Sequence, residues 1–134
     1  MTHIYILLNH SLTDRQTAEL HKTYGDDAVL EYPSAEIKAF WSQVPTEPTL
    51  PQNEIDRIVQ WLSHAKPDDV LIIQGEYGAT FYLVSLALKR KMKALYAVTK
   101  RVNTETREGE KVLRSYVFEH VCFREYKLFE ELLQ

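Results

Sequence analysis

Three short polar segments of this 134-residue chain carry the side chains best suited to chemistry: Asn9-His10-Ser11, Gln74-Gly75-Glu76-Tyr77-Gly78-Ala79-Thr80 and Thr99-Lys100-Arg101. The middle segment turns a strand into a helix through two glycines. Glycine lets the backbone approach an anion closely, and a helix N-terminus favours negative charge. Thr80 adds a hydroxyl. The segment lacks GxGxxG and the lysine of GxxxxGK[ST], so neither a dinucleotide site nor a P-loop is indicated. A tight turn with Gly78 packed between helix and strand explains the glycines equally well. Lys100 and Arg101 directly follow a predicted strand. They could neutralise phosphate, and Lys100 could stabilise charge developing in a phosphoryl transition state; alternatively they are solvated surface cations. Asn9, His10 and Ser11 suit a phosphate or a ribose hydroxyl, although Ser11 could equally cap a helix. His10 and Ser11 do not read as a base–nucleophile pair, because neighbours at a strand end point apart and no Asp occupies a relay position. Tyr77 and Phe81, four residues apart, either stack on a base or share a buried helix face. Arg107, Lys111, Arg114 and Arg124 either reach over a ligand or keep an edge strand soluble. His3, His21, His64, His120 and Cys122 show no metal-ligand spacing, so no metal site or cofactor is expected.

The elements that must position these segments follow from the hydrophobic pattern. His3 to Leu8 reads as a buried strand, and Thr13-Asp14-Arg15-Gln16 as a capping box opening a helix to about Tyr24, with Leu12, Ala18 and Leu20 inward. Ala28 to Tyr32 is a short strand closed by Pro33. Ser34 caps a helix to Trp41. Three prolines make 44–51 a loop. Ile55, Ile58, Val59 and Leu62 form the apolar stripe of a helix over 52–65. Val70 to Ile73 is continuously apolar, the mark of a strand covered on both faces. Tyr82 to Leu88 is an apolar helix, and Lys93 to Val98 a further strand. This alternation predicts an α/β fold with a mainly parallel sheet flanked by helices. Val102 to Arg107 and Lys111 to Tyr126, around Glu108-Gly109-Glu110, predict a C-terminal β-hairpin, with a short helix over 127–134. Ligands of open α/β sheets bind outside the carboxyl ends of the strands, so all three polar segments should meet at one edge.

Length fits one domain spanning 1–134, and 45% hydrophobic residues suffice for a core. A net charge of −3 argues against duplex-DNA binding. That charge is uneven: residues 1–88 carry 5 Lys+Arg against 12 Asp+Glu, whereas 89–127 carry 11 against 5. A local anion site or a solvated basic hairpin accounts for this. The single cysteine, the absence of a signal-peptide pattern and the lack of a long apolar run point to a cytoplasmic protein with no membrane partner.

Leu7-Leu8-Asn9-His10 with Leu12-Thr13, Gln74-Gly75 with Gly78-Ala79-Thr80, and Thr99-Lys100-Arg101 followed by Phe118-Glu119-His120-Val121 and Phe123-Arg124-Glu125-Tyr126 resemble the small Csx-type CRISPR-associated proteins of the Csx-twenty branch. The match spans nearly the whole chain in order. The resemblance implies a Rossmann-like, CARF-like domain that acts as a homodimer in type III CRISPR antiviral signalling. It implies a ring nuclease that binds cyclic oligoadenylate, most often cyclic tetra-adenylate, and cuts it without metal through attack of a ribose 2′-OH. A non-catalytic sponge for the same messenger is the alternative. On this reading Gln74, Gly75, Glu76, Tyr77, Gly78, Ala79, Thr80, Asn9, Thr99, Arg101 and Arg107 bind ligand. Lys100, His10 and Ser11 are the catalytic candidates, with His10 the acid or base because it alone titrates near neutrality there.

Overall fold

The computed structural model describes residues 1–132. Five strands, β1 (His3–Leu7), β2 (Val29–Glu31), β3 (Val70–Ile73), β4 (Lys93–Glu108) and β5 (Lys111–Glu125), form one sheet in the order β2-β1-β3-β4-β5. The first four are parallel, and β5 runs antiparallel to β4. The helices are α1 (Asp14–Tyr24), α2 (Ala35–Ser42), α3 (Gln52–Trp61, continued by a 3₁₀ turn over Leu62–His64), α4 (Tyr77–Lys89) and the four-residue α5 (Phe129–Leu132). The fold is therefore α/β with a mostly parallel sheet flanked by helices, as the alternating pattern predicts.

Side-chain alternation along the strands divides the core in two. Tyr5, Leu7, Leu71, Ile73 and Ala94 face Trp41, Ile55, Ile58 and Leu83, which belong to α2, α3 and α4. Ile4, Ile6, Val70, Ile72 and Leu95 face Leu20 of α1. All four residues of β3 are buried, so its unbroken apolar run is a strand covered on both sides. The helix starts come from local chemistry. Thr13 and Gln16 close the expected capping box on α1, and the Ser34 hydroxyl accepts from the Ile37 amide at the start of α2. Within α1 the inward residues include Gln16, while Ala18 is exposed, contrary to its expected inward position.

Two differences from the sequence reading bear on the site. First, α4 begins at Tyr77 rather than Tyr82, so Tyr77 to Thr80 form its first turn. Second, Thr99-Lys100-Arg101 does not end a strand. β4 passes through it without a break, and Gly109 makes the turn into β5 with φ +63°. β3 pairs with β4 only over Lys93–Leu95. Beyond that the β4–β5 ribbon leaves the body as an arm, about 30 Å long for ten residues at strand rise. The ladder contains one irregularity: Val98 pairs with Cys122 and Thr99 with His120, leaving Val121 as an extra residue.

Candidate functional site

β1 and β3 are neighbours whose chains depart in opposite directions, β1 toward β2 and β3 toward β4. A sheet with this order opens a crevice between the carboxyl ends of those two strands. Asn9, His10 and Ser11 follow β1 there and are exposed; Gln74 to Tyr77 follow β3. β4 passes at the same level, since the Ala97 amide donates to Gln74 Oε1 at 2.9 Å. At strand spacing, β1 and β4 lie about 10 Å apart. The three polar segments thus share one edge, but several of their side chains are committed elsewhere.

Gln74 serves the framework. Its side-chain oxygen takes the Ala97 amide, and its carbonyl accepts the Trp41 indole N–H at 2.9 Å. Gly75 is required by packing, because a Cβ there would lie 2.6 Å from the Trp41 ring. The helix N-terminus expected to hold an anion already holds one: Glu76 caps α4, its carboxylate accepting from Gly78 N at 3.0 Å and Ala79 N at 2.7 Å. A phosphate at those amides would meet a resident negative charge. Ala79 is fully buried and out of reach of a ligand. The expected roles of Glu76, Gly78 and Ala79 as a phosphate cradle are therefore corrected.

Tyr77 and Phe81, by contrast, stand 93% and 76% exposed on the first turns of α4. The buried-face alternative fails for this pair. They border a groove of about 510 Å³ between α4 and the segment after β5, lined also by Gln74, Gly75, Val84 and Tyr126. Thr80 reaches the same groove, and its hydroxyl oxygen is buried without a hydrogen-bond partner. Tyr126 closes the far wall, its hydroxyl donating to the Ile73 carbonyl at 2.8 Å. Burial, and then the neighbouring Tyr96, push the Tyr126 phenol above its ordinary range, so it stays a neutral donor.

Lys100 and Arg101 are consecutive residues of one strand and point to opposite faces. Ladder parity places Lys100, with Ala94 and Tyr96, on the α4 side, and Arg101, with Leu95, on the α1 side. They cannot clamp one phosphate together, which corrects the paired role. Thr99 shares the Arg101 face, and Arg101 lies over the Tyr116 ring, 4.7 Å from its centre. Arg107 pairs with Val112 near the tip of the arm, about 20 Å from Arg101 at strand rise, so it cannot reach this edge of its own chain.

His10 and Ser11 line a separate cavity of about 180 Å³ with Tyr32, Pro33 and Lys38. His10 Nδ1 donates to the Ser11 carbonyl at 2.9 Å, which leaves Nε2 as the nitrogen able to take a proton. Lys38 escaped the sequence reading. Its signal was present: a helix capped by Ser34 directly after β2 must start at this same edge. A second missed cluster is structural. His120, buried, bonds Glu19 through Nε2 at 2.7 Å and Gln16 through Nδ1 at 3.2 Å, and Glu19 also accepts the Phe123 amide. It clasps the base of the arm to α1. Among the described residues no group of three or more His, Cys, Asp or Glu side chains could hold a metal ion, and no helix is long and apolar enough to cross a membrane.

Comparison with known proteins gives the chain a family. Residues 2–124 match the family described as the uncharacterized protein MJ1673 family. The chain is also 32% identical over 127 residues to the uncharacterized protein MJ1673 of Methanocaldococcus jannaschii, covering 94% of this chain and 98% of that protein. No solved structure matches it. The chain belongs to the MJ1673 family.

Proposed function

We propose that this member of the MJ1673 family is a cytoplasmic ring nuclease with a CARF-like domain, which binds cyclic oligoadenylate, cyclic tetra-adenylate above all, and opens the ring. The observation that carries the reading is the exposed pair Tyr77 and Phe81 bordering an apolar groove at the carboxyl edge of the sheet, where His10 and Ser11 line a second cavity. Aromatic faces stack on bases with little dependence on sequence, at about 1–3 kcal/mol per base. The resemblance to Csx-type proteins supplies the identity of the base and the ring, and the type III CRISPR context.

In this mechanism α4 presents Tyr77 and Phe81 to adenine, and Asn9, Ser11 and Lys38 hold the ribose-phosphate. The 2′-oxygen bonds to the adjacent phosphorus as the bond from phosphorus to the 5′-oxygen breaks. His10 Nε2 takes the 2′-hydroxyl proton, and the departing 5′-oxygen takes a proton from solvent. Lys100 stabilises charge on the phosphoryl oxygens, and no metal takes part. The products are linear di-adenylates ending in 2′,3′-cyclic phosphate, and two copies of the chain share one ring.

Incubation with labelled cyclic tetra-adenylate and EDTA tests the reading; linear product is expected, and its absence at excess enzyme excludes catalysis. One observation favours a sponge instead. Lys100 and Arg101 diverge, so each copy turns only one of these two cations toward the groove side. Tight retention of intact ring without product would establish that alternative.

A further inference from the structure

The arm formed by β4 and β5 beyond the sheet has no apolar support of its own. Phe118, Tyr116 and Val112 lie on one face of the ribbon, 69%, 51% and 48% exposed. Val117 and Leu113 lie on the other, 53% and 49% exposed. An isolated two-stranded ribbon is marginal in water; a third strand or a packed face is what stabilises it. β5 is also the last strand of the sheet, so one edge of its 15 residues is unpaired. It has no proline on that edge, and its one irregularity lies at the base, not along the arm. A long, regular, apolar edge of this kind is a template for another strand.

We infer that the arm is the self-association element of the chain: the β5 edge and apolar faces of one copy pair with those of a second copy about a two-fold axis. Charge selects this occupant. Between Thr99 and His120 the arm carries five cations (Lys100, Arg101, Arg107, Lys111 and Arg114) against four carboxylates (Glu105, Glu108, Glu110 and Glu119), interspersed along both strands. A nucleic-acid arm would be strongly basic, and an arm for a highly charged protein would carry one sign. A near-neutral ribbon with mixed charges complements itself, as an isologous contact requires. Size agrees. The arm offers ten residues from each strand, against the roughly 20–30 residues per side, about 800 Å² per partner, of a standard interface. Antiparallel pairing also brings the tip of each arm to the base of the other.

The inference stands on the arm alone and does not require the nucleotide reading, so its test uses no ligand. Sedimentation equilibrium of the intact chain should give twice the 15.7 kDa chain mass at micromolar concentration. The double variant Tyr116→Glu, Phe118→Glu alters exposed side chains only, and should sediment as a monomer with an unchanged far-ultraviolet spectrum. A second variant, with 103–116 replaced by Asn-Gly to close the ribbon early, should also be monomeric. Hydrogen exchange should show outward amides of β5 protected in the intact chain and exchanging freely in both variants. A monomeric intact chain, or a dimer that survives in either variant, overturns the proposal.

Discussion

At the scale of single residues, the two glycines of the strand-to-helix turn have different jobs. Gly75→Ala puts a methyl 2.6 Å from the rigid, buried Trp41 ring, whose indole N–H is tied to the Gln74 carbonyl. Overpacking of this kind should cost about 1–3 kcal/mol, read as a lower urea midpoint with unchanged m-value. Gly78→Ala meets the flexible Glu76 carboxylate at 3.3 Å and Leu50 at an ordinary 3.8 Å, in the first turn of a helix, so its midpoint should move far less. Of the consecutive pair Lys100 and Arg101, Lys100 is the one on the groove side. Under the proposed mechanism Lys100→Ala should lower kcat ten- to a hundredfold while KM changes little, because charge on the phosphoryl group grows only toward the transition state. Equal losses in binding would assign Lys100 to ground-state attraction instead. Tyr126 supplies a pH prediction. Its folded pKa is raised by burial, so the neutral phenol is favoured in the folded protein. The associated stability is present in full below the unfolded value near 10 and is lost as pH rises through the folded value. Urea midpoints measured from pH 8 to 11 should fall at the alkaline end, less steeply in Tyr126→Phe.

At the scale of elements, Glu76 decides what the start of α4 can do. It stabilises the helix by occupying the Gly78 and Ala79 amides, and by the same contact denies them to phosphate. Glu76→Ala should therefore cost about 1 kcal/mol of stability while tightening the binding of inorganic phosphate or a nucleotide. Titration calorimetry that finds weaker anion binding would contradict this account. The order and type of elements were legible in the sequence because the signals were local. Thr13 with Gln16, Ser34 before Ile37, and Val70 to Ile73 each state their structure within a few residues. The start of α4 was not legible, because Gly75 and Gly78 look like a loop until Trp41 and Glu76 are seen to use them. Thr99 to Arg101 misled for a related reason. Polar residues after an apolar strand normally mark its end, but here an antiparallel partner, Phe118 to His120, carries the strand onward. The candidate site was legible as an edge and not as a constellation: topology gathered the segments, while ladder parity separated Lys100 from Arg101. Lys38 joined His10 only through the packing of α2.

At the scale of the whole molecule, the protein is a compact doubly covered sheet with an extended ribbon attached at one side. The two parts are held in register by the His120–Glu19–Phe123 clasp on α1 and by the continuity of β4. A single residue beside that clasp governs how they sit. Val121 is the one member of β5 with no opposite number: Cys122 faces Val98 and His120 faces Thr99. An extra residue of this kind bends its strand and sharpens the local twist. Deleting Val121 would leave every other pair in register and His120 still turned toward Glu19, while straightening the departure of the ribbon. Small-angle scattering of the monomeric arm variant should report a changed maximum dimension with no loss of thermal stability. Within a lineage, the loss or gain of one codon at this point re-aims the ribbon without touching any other contact, so the direction of the ribbon can drift while the body of the fold stays fixed.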